Sequence, residues 1–146
     1  MKGLPDIAQR LLSELEEARF ELIITLLVTI TPNTGAPEEL ANFQFGAKVL
    51  LGRDFITMTG ETTTWRDGPD LSKAEAMALV GRLPEMIAVD PNLGRWRLVD
   101  NPGPPFTKVH AGIVPTDAGL ALARQILEVK GYKYWTRPRR SALKGR

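Results

Sequence analysis

The sequence predicts an α+β fold, with a mostly antiparallel sheet of three or more strands covered by two to three helices. Apolar residues recur at helical spacing in three segments and alternate with period two in several others, as in amphipathic helices and half-buried strands. The chain has 146 residues, of which 43% are apolar, so its size suits one domain with a hydrophobic core. We expect a single domain at 1–129 followed by a basic C-terminal tail at 130–146.

The first part of the chain predicts a helix followed by a long strand. Apolar side chains recur at helical spacing over 5–19, and Pro5 suits the first turn of a helix. Every even-numbered position over 20–30 is apolar, and this period of two predicts a β-strand. The other face of the segment is half apolar, which is typical of a central strand or of one covered by another subunit.

The next part predicts a loop and then a β-hairpin. Pro, Gly, Asn and acidic residues are concentrated in 31–42, which indicates a loop with an exposed tip at 33–35. Alternation resumes over 43–51, and the turn residues at 52–54 connect it to a Thr-rich segment at 55–65. We therefore expect two antiparallel strands here.

A capping box predicts the second helix. Ser72 is followed three positions later by Glu75, a pattern that satisfies two backbone donors at the start of a helix. The helix is expected over 73–83, where Pro84 interrupts it, and 85–89 is expected to add another turn.

Two short strands and a third helix are predicted in the remainder of the domain. The strands are expected at 95–99 and 109–114. Thr116 suits the N-cap of a helix with an apolar stripe, and Gly131 lies where a left-handed C-cap would end it.

The composition argues against catalysis. The chain has no cysteine, which excludes disulfides, thiolate zinc sites and cysteine nucleophiles, and its single histidine, His110, excludes a histidine-rich metal site. No phosphate-binding glycine loop is present. The longest apolar run is far shorter than a membrane span, and no secretory signal pattern precedes it. We expect a cytoplasmic, non-enzymatic protein without catalytic residues, metal, cofactor or membrane contact.

The tail is the strongest functional signal. Seven Lys or Arg residues and no acid lie in 130–146, whereas the preceding 129 residues carry twelve Lys or Arg against seventeen Asp or Glu. Clustered cations bind nucleic-acid phosphates through counterion release, and aromatic rings among them stack on unpaired bases. The candidate nucleic-acid-binding or partner-binding residues are Lys130, Tyr132, Lys133, Tyr134, Trp135, Arg137, Arg139, Arg140, Lys144 and Arg146.

The predicted order of elements over 5–83 has one family resemblance. A helix, three strands and a helix in that order resemble the double-stranded-RNA-binding domain. The residues similar to the start of that family's second helix are Ser72, Lys73, Glu75 and Ala76. That family carries a run of lysines in this helix, whereas this chain has Ala74 and Met77 after Lys73.

A second resemblance lies in the last predicted helix. The Thr-x-x-Gly element from Thr116 to Gly119, followed by an apolar helix to Leu127, resembles winged-helix proteins. In that family a wing strand leads into a helix through such an element, and a compact helical triad lies upstream. The pattern over 20–30 predicts a strand instead of part of that triad.

Two functions are consistent with these patterns. The first is a small nucleic-acid-associated protein that contacts phosphate through its tail, with Arg53, Arg66, Arg95 and Arg97 as the next candidates. The alternative is a structural subunit of a larger assembly, phage-like or multiprotein, whose basic arm docks on an acidic neighbouring subunit. Its complementary surface would be the long apolar strand at 20–30 together with the acidic first-helix face that carries Glu14, Glu17 and Glu21, and we expect a homo-oligomer.

Overall fold

The α+β prediction is confirmed by the computed structural model, which describes residues 3–60, 69–99 and 111–131. Within these ranges lie six helices and five strands. The helices are α1 (Asp6–Ala18), α2 (Ile23–Ile30), α3 (Pro37–Gly52), α4 (Lys73–Gly81), α5 (Leu83–Met86) and α6 (Asp117–Lys130). The strands are β1 (Glu21–Leu22), β2 (Ile56–Thr59), β3 (Ile87–Asp90), β4 (Arg95–Leu98) and β5 (Gly112–Pro115).

The strands form two antiparallel sheets. The larger sheet has the order β1-β5-β2, with Leu22 and Thr59 both opposite Gly112 on the central strand. The smaller sheet is the hairpin β3–β4, in which Val89 is opposite Trp96. Two of the predicted helices, α1 and α4, contact the larger sheet at β5 and β2 respectively.

The long strand predicted over 20–30 is wrong. Only β1 is extended, and the chain then turns into α2. The buried residues of α2 are Ile23, Leu26, Leu27 and Ile30, which follow the three-and-four spacing of a helix facing a core. Because seven of the nine residues over 22–30 are apolar, helical and strand periods both fit the segment, and packing against α1 selects the helix.

The predicted loop at 31–42 and the hairpin strand at 43–51 are also wrong from Pro37 onwards. Pro37 begins α3, as its fixed φ allows at a first turn, and the helix continues to Gly52. Phe43, Ala47 and Leu50 are fully buried, again at helical spacing. The Thr-rich segment contributes β2, and 61–68 lies outside the described residues. The predicted exposed tip is confirmed at Thr34 and Gly35.

The local signals in the second half are largely confirmed. The Ser72 hydroxyl accepts from the Glu75 N–H at 3.1 Å, and the Glu75 carboxylate accepts from the Ser72 N–H at 2.9 Å. The predicted further turn is present as α5, which contains Pro84 and ends at Met86, and β3 takes the place of the rest of the turn predicted at 85–89. The strand predicted at 95–99 is β4, and that predicted at 109–114 is β5.

The helix order bears on both resemblances. A second and a third helix follow α1, so the helix–three strands–helix order over 5–83 is wrong. Three helices, α1, α2 and α3, precede β5, and α1 contacts the other two. The strand β5 leads into α6 through Thr116, whose hydroxyl accepts from the Gly119 N–H at 3.0 Å.

Candidate functional site

Lys130 is the one predicted site residue that the structure describes. It is the last residue of α6, and its Nζ lies 3.8 Å from Oδ1 of Asp6. The other nine lie outside the described residues: Tyr132, Lys133, Tyr134, Trp135, Arg137, Arg139, Arg140, Lys144 and Arg146.

The structure shows where the tail leaves the fold. Helix α6 packs antiparallel to α1, because Arg124 lies 4.0 Å from Glu16 near one end and Lys130 lies beside Asp6 at the other. Gly131 ends α6 as predicted, but with a φ of +85° and a ψ of 147° it is not in the predicted left-handed helical conformation; its N–H donates to the Leu127 carbonyl at 2.7 Å. The tail therefore starts beside the N-terminal end of α1.

An acidic cleft lies at the opposite end of α1. Its volume is about 300 Å³, and its lining residues are Glu14, Glu17, Ala18, Glu21, Leu26 and Thr29. The structure thus brings together the three glutamates that the sequence placed on one acidic face. Asp6 and Glu17 are eleven residues apart on α1, about 16 Å at the rise of an α-helix. The cleft and the start of the tail are separated by most of the helix.

The start of α3 does not provide a phosphate site. A helix N-terminus attracts anions when its N–H groups face solvent. Here Glu38 and Glu39 occupy the first turn, so the site is already negative. The Thr34 hydroxyl and backbone N–H both donate to the Glu39 carboxylate. The buried Trp96 indole N–H lies 3.1 Å from Glu39 Oε1 and 3.1 Å from the Thr31 hydroxyl, so the β3–β4 hairpin is fixed to this end of α3.

The arginines of the domain do not supply an obvious alternative site. Arg97 Nε lies 3.0 Å from Asp90, which neutralises it within the β3–β4 hairpin. Arg53 donates to the Gly3 carbonyl at 3.2 Å, on a different part of the chain. Arg95 is exposed at the start of β4, and Arg66 lies outside the described residues.

Helix α3 carries an exposed face that the sequence analysis missed. Its residues, named here the α3 stripe, are Glu38, Ala41, Phe45, Lys48 and Gly52, and all five are exposed. Phe45 is 55% exposed, one of few large apolar side chains so placed in the described chain. The sequence signal for this face is the recurrence of its residues at alternating intervals of three and four. Assigning 43–51 to a strand conceals this helical period.

The described residues offer no metal site. Within 3–60, 69–99 and 111–131, no group of three or more His, Asp or Glu side chains is placed to hold an ion. His110 lies outside these ranges. Among the helices the structure describes, none is both long and apolar enough to cross a membrane. No protein-family model, curated protein or solved structure matches the chain.

Proposed function

We propose that this chain is a small, non-enzymatic, cytoplasmic protein that associates with nucleic acid through its basic tail. The observation that carries the proposal is the separation of charge along the chain. The tail has seven cations and no acid, and it starts at the end of α1 remote from the acidic cleft. Within the described residues, the first tail cation, Lys130, lies 3.8 Å from Asp6, about 16 Å along α1 from the cleft.

The folded domain acts in this proposal as a support. The start of α3 is acidic and covered by Trp96, so this helix end does not serve as a phosphate site. Affinity then comes from Lys and Arg on phosphates and from Tyr132, Tyr134 and Trp135 stacking on unpaired bases. Such stacking contributes about 1–3 kcal/mol per base. Binding is expected to depend steeply on salt and weakly on sequence.

A salt series on a full-length variant tests this proposal. Replacing Arg137, Arg139 and Arg140 with Gln leaves every described residue unchanged and removes three cations. We expect weaker binding to labelled single- and double-stranded oligonucleotides in fluorescence anisotropy. On duplex DNA the plot of log K against the logarithm of the salt concentration has a negative slope. Its steepness is expected to decrease by about 2.7, at roughly 0.9 per lost phosphate contact. The matched control is Arg53→Gln with Arg95→Gln, which should leave the slope unchanged. Equal binding by the tail variant and the wild type would refute the proposal.

A second candidate function is supported by the acidic cleft. Glu14, Glu17 and Glu21 line one cavity, as the assembly-subunit hypothesis requires of the surface that receives a neighbour's arm. The apolar strand invoked in that hypothesis is absent, since the segment is the buried helix α2. Light scattering separates the two functions. A large assembly that dissociates in both Glu17→Gln and the tail variant, and is indifferent to oligonucleotide, supports the subunit.

A further inference from the structure

The α3 stripe has the residue spacing of a helix–helix seam. Its five positions, 38, 41, 45, 48 and 52, are separated alternately by three and four residues, as are the a and d positions of a heptad repeat. In a folded domain such a seam normally faces a partner helix. Here all five side-chain positions face outwards.

The rest of the fold packs on the flanks of α3 and leaves the stripe exposed, with α4 bordering its C-terminal half near Lys48 and Gly52. On one flank Gly46 is buried against α1, where an added Cβ would lie 3.0 Å from Ile7. On the other flank the Gln44 side-chain amide donates to the Val80 carbonyl of α4 at 2.8 Å. Phe45 points between these two flanks.

We propose that the α3 stripe is the interface for a second copy of this chain, with the two α3 helices antiparallel about a two-fold axis. With the axis passing at the level of Phe43, residue 38 lies opposite residue 48, and 41 lies opposite 45. Glu38 of each copy then faces Lys48 of the other, and each Phe45 ring lies over the other Ala41. Both layers join an a position to a d position, which is the pairing an antiparallel seam requires.

The charges of Glu38 and Lys48 and the size of Phe45 favour the antiparallel pairing of the two α3 helices. Within the described residues neither Glu38 nor Lys48 has an ion-pair partner, so both are available to a second copy. A parallel pairing would place like charges together and Phe45 on Phe45. Nucleic acid is the poorer occupant, because the stripe carries one cation and one acid around an apolar centre.

The size of the stripe sets the strength of the dimer. Five side chains on one helix bury much less than the roughly 800 Å² per partner of a standard interface. A reversible dimer with a dissociation constant on the order of 100 μM is therefore expected rather than an obligate one. The inference does not depend on the proposed function of the tail.

Charge exchange between copies tests the interface. In sedimentation equilibrium of the full-length chain, Glu38→Lys alone and Lys48→Glu alone should each raise the dimer dissociation constant about tenfold, because each homodimer gains two like-charge contacts. An equimolar mixture of the two variants should recover wild-type association, since both contacts become attractive in the mixed dimer. Neither variant's own folding defect can produce such a recovery.

Two further variants complete the test. Phe45→Ala should weaken dimerisation by about tenfold or more, whereas Leu93→Ala, which removes another exposed apolar side chain, should not. The Arg137, Arg139 and Arg140 to Gln variant should dimerise as the wild type does, which distinguishes this interface from association through the tail. A wild-type chain that stays monomeric at about 1 mM overturns the inference. So does a mixture of charge variants that associates no better than each variant alone.

Discussion

Gly119→Ala is expected to destabilise the protein, although alanine is the better helix former by about 1 kcal/mol. An added Cβ at position 119 would lie 1.9 Å from the Phe55 carbonyl oxygen and 2.9 Å from its carbon. Carbon and oxygen atoms in contact are ordinarily more than about 3.3 Å apart. The first turn of α6 must therefore move away from the start of β2 by more than about 1 Å.

The movement would break the bonds that attach α6 to β2. The Thr116 N–H donates to the Phe55 carbonyl at 3.0 Å, and the Thr116 hydroxyl donates to the Asp54 carbonyl at 2.8 Å. Two such bonds contribute about 1 kcal/mol each, and overpacking adds about 1–3 kcal/mol. After the gain in helix propensity is subtracted, the free energy of unfolding should fall by about 2–4 kcal/mol.

Urea unfolding followed by circular dichroism measures this change. Gly81→Ala is the matched control, because its nearest neighbour would be Lys48 Nζ at 3.9 Å and its effect should be neutral or stabilising by up to about 1 kcal/mol. A Gly119→Ala protein that unfolds at the same or a higher urea concentration than the wild type would refute the close approach of α6 to Phe55. The Thr-x-x-Gly element would then lack its physical explanation.

Three other predictions concern the α4 cap and the β3–β4 hairpin. Ser72→Ala should lower the free energy of unfolding by about 1 kcal/mol in urea titration, through loss of the N-cap. Hydrogen bonds from the Ser72 backbone N–H, and secondarily its hydroxyl, lower the pKa of Glu75 from its ordinary 4.5. The stabilisation is therefore present above pH 4.5 and lost as the pH falls through the lowered pKa, so the wild type and Glu75→Gln should converge in urea midpoint under acid. Trp96→Phe removes the donor to Thr31 and Glu39 and should cost about 1–2 kcal/mol; hydrogen exchange should accelerate in β3–β4 more than in α6.

The features predictable from sequence were those with local causes. The Ser72 and Glu75 bonds span three residues, as does the bond from the Gly119 N–H to Thr116, so short patterns encode them. These two patterns also locate the starts of α4 and α6 to within one residue. The path of the chain over 20–52 was not predictable in this way. With Ile23 and Leu27 apolar as well as the even-numbered positions, a strand formed by the α2 segment would be apolar on both faces, so the period does not select between strand and helix. Tertiary contacts distinguish the two, with α1 and, far along the chain, with β4.

The candidate sites divide in the same manner. Clustering of Glu14 and Glu17 was predictable from the helical spacing of α1, and Glu21 joins them because β1 begins soon after that helix ends. The α3 stripe was not, because a strand assignment places Phe45 on the same face as Phe43, whereas the helix buries Phe43 and exposes Phe45. An error in period therefore hid the surface that we propose for a second copy.

The two proposals together predict how affinity depends on oligonucleotide length. Pairing through α3 does not involve Lys130, where the tail begins at the end of α6, so a dimer would carry two tails. A second tail on the same strand binds at an effective concentration up to about the millimolar range, which strengthens binding to strands long enough to reach both. Lys48→Glu should then weaken binding to a long strand while leaving affinity for a strand that accommodates one tail unchanged. Because the substitution also removes a cation, Lys73→Glu serves as the charge-matched control. Equal losses on both strand lengths would show that the tails act independently and that α3 does not join them.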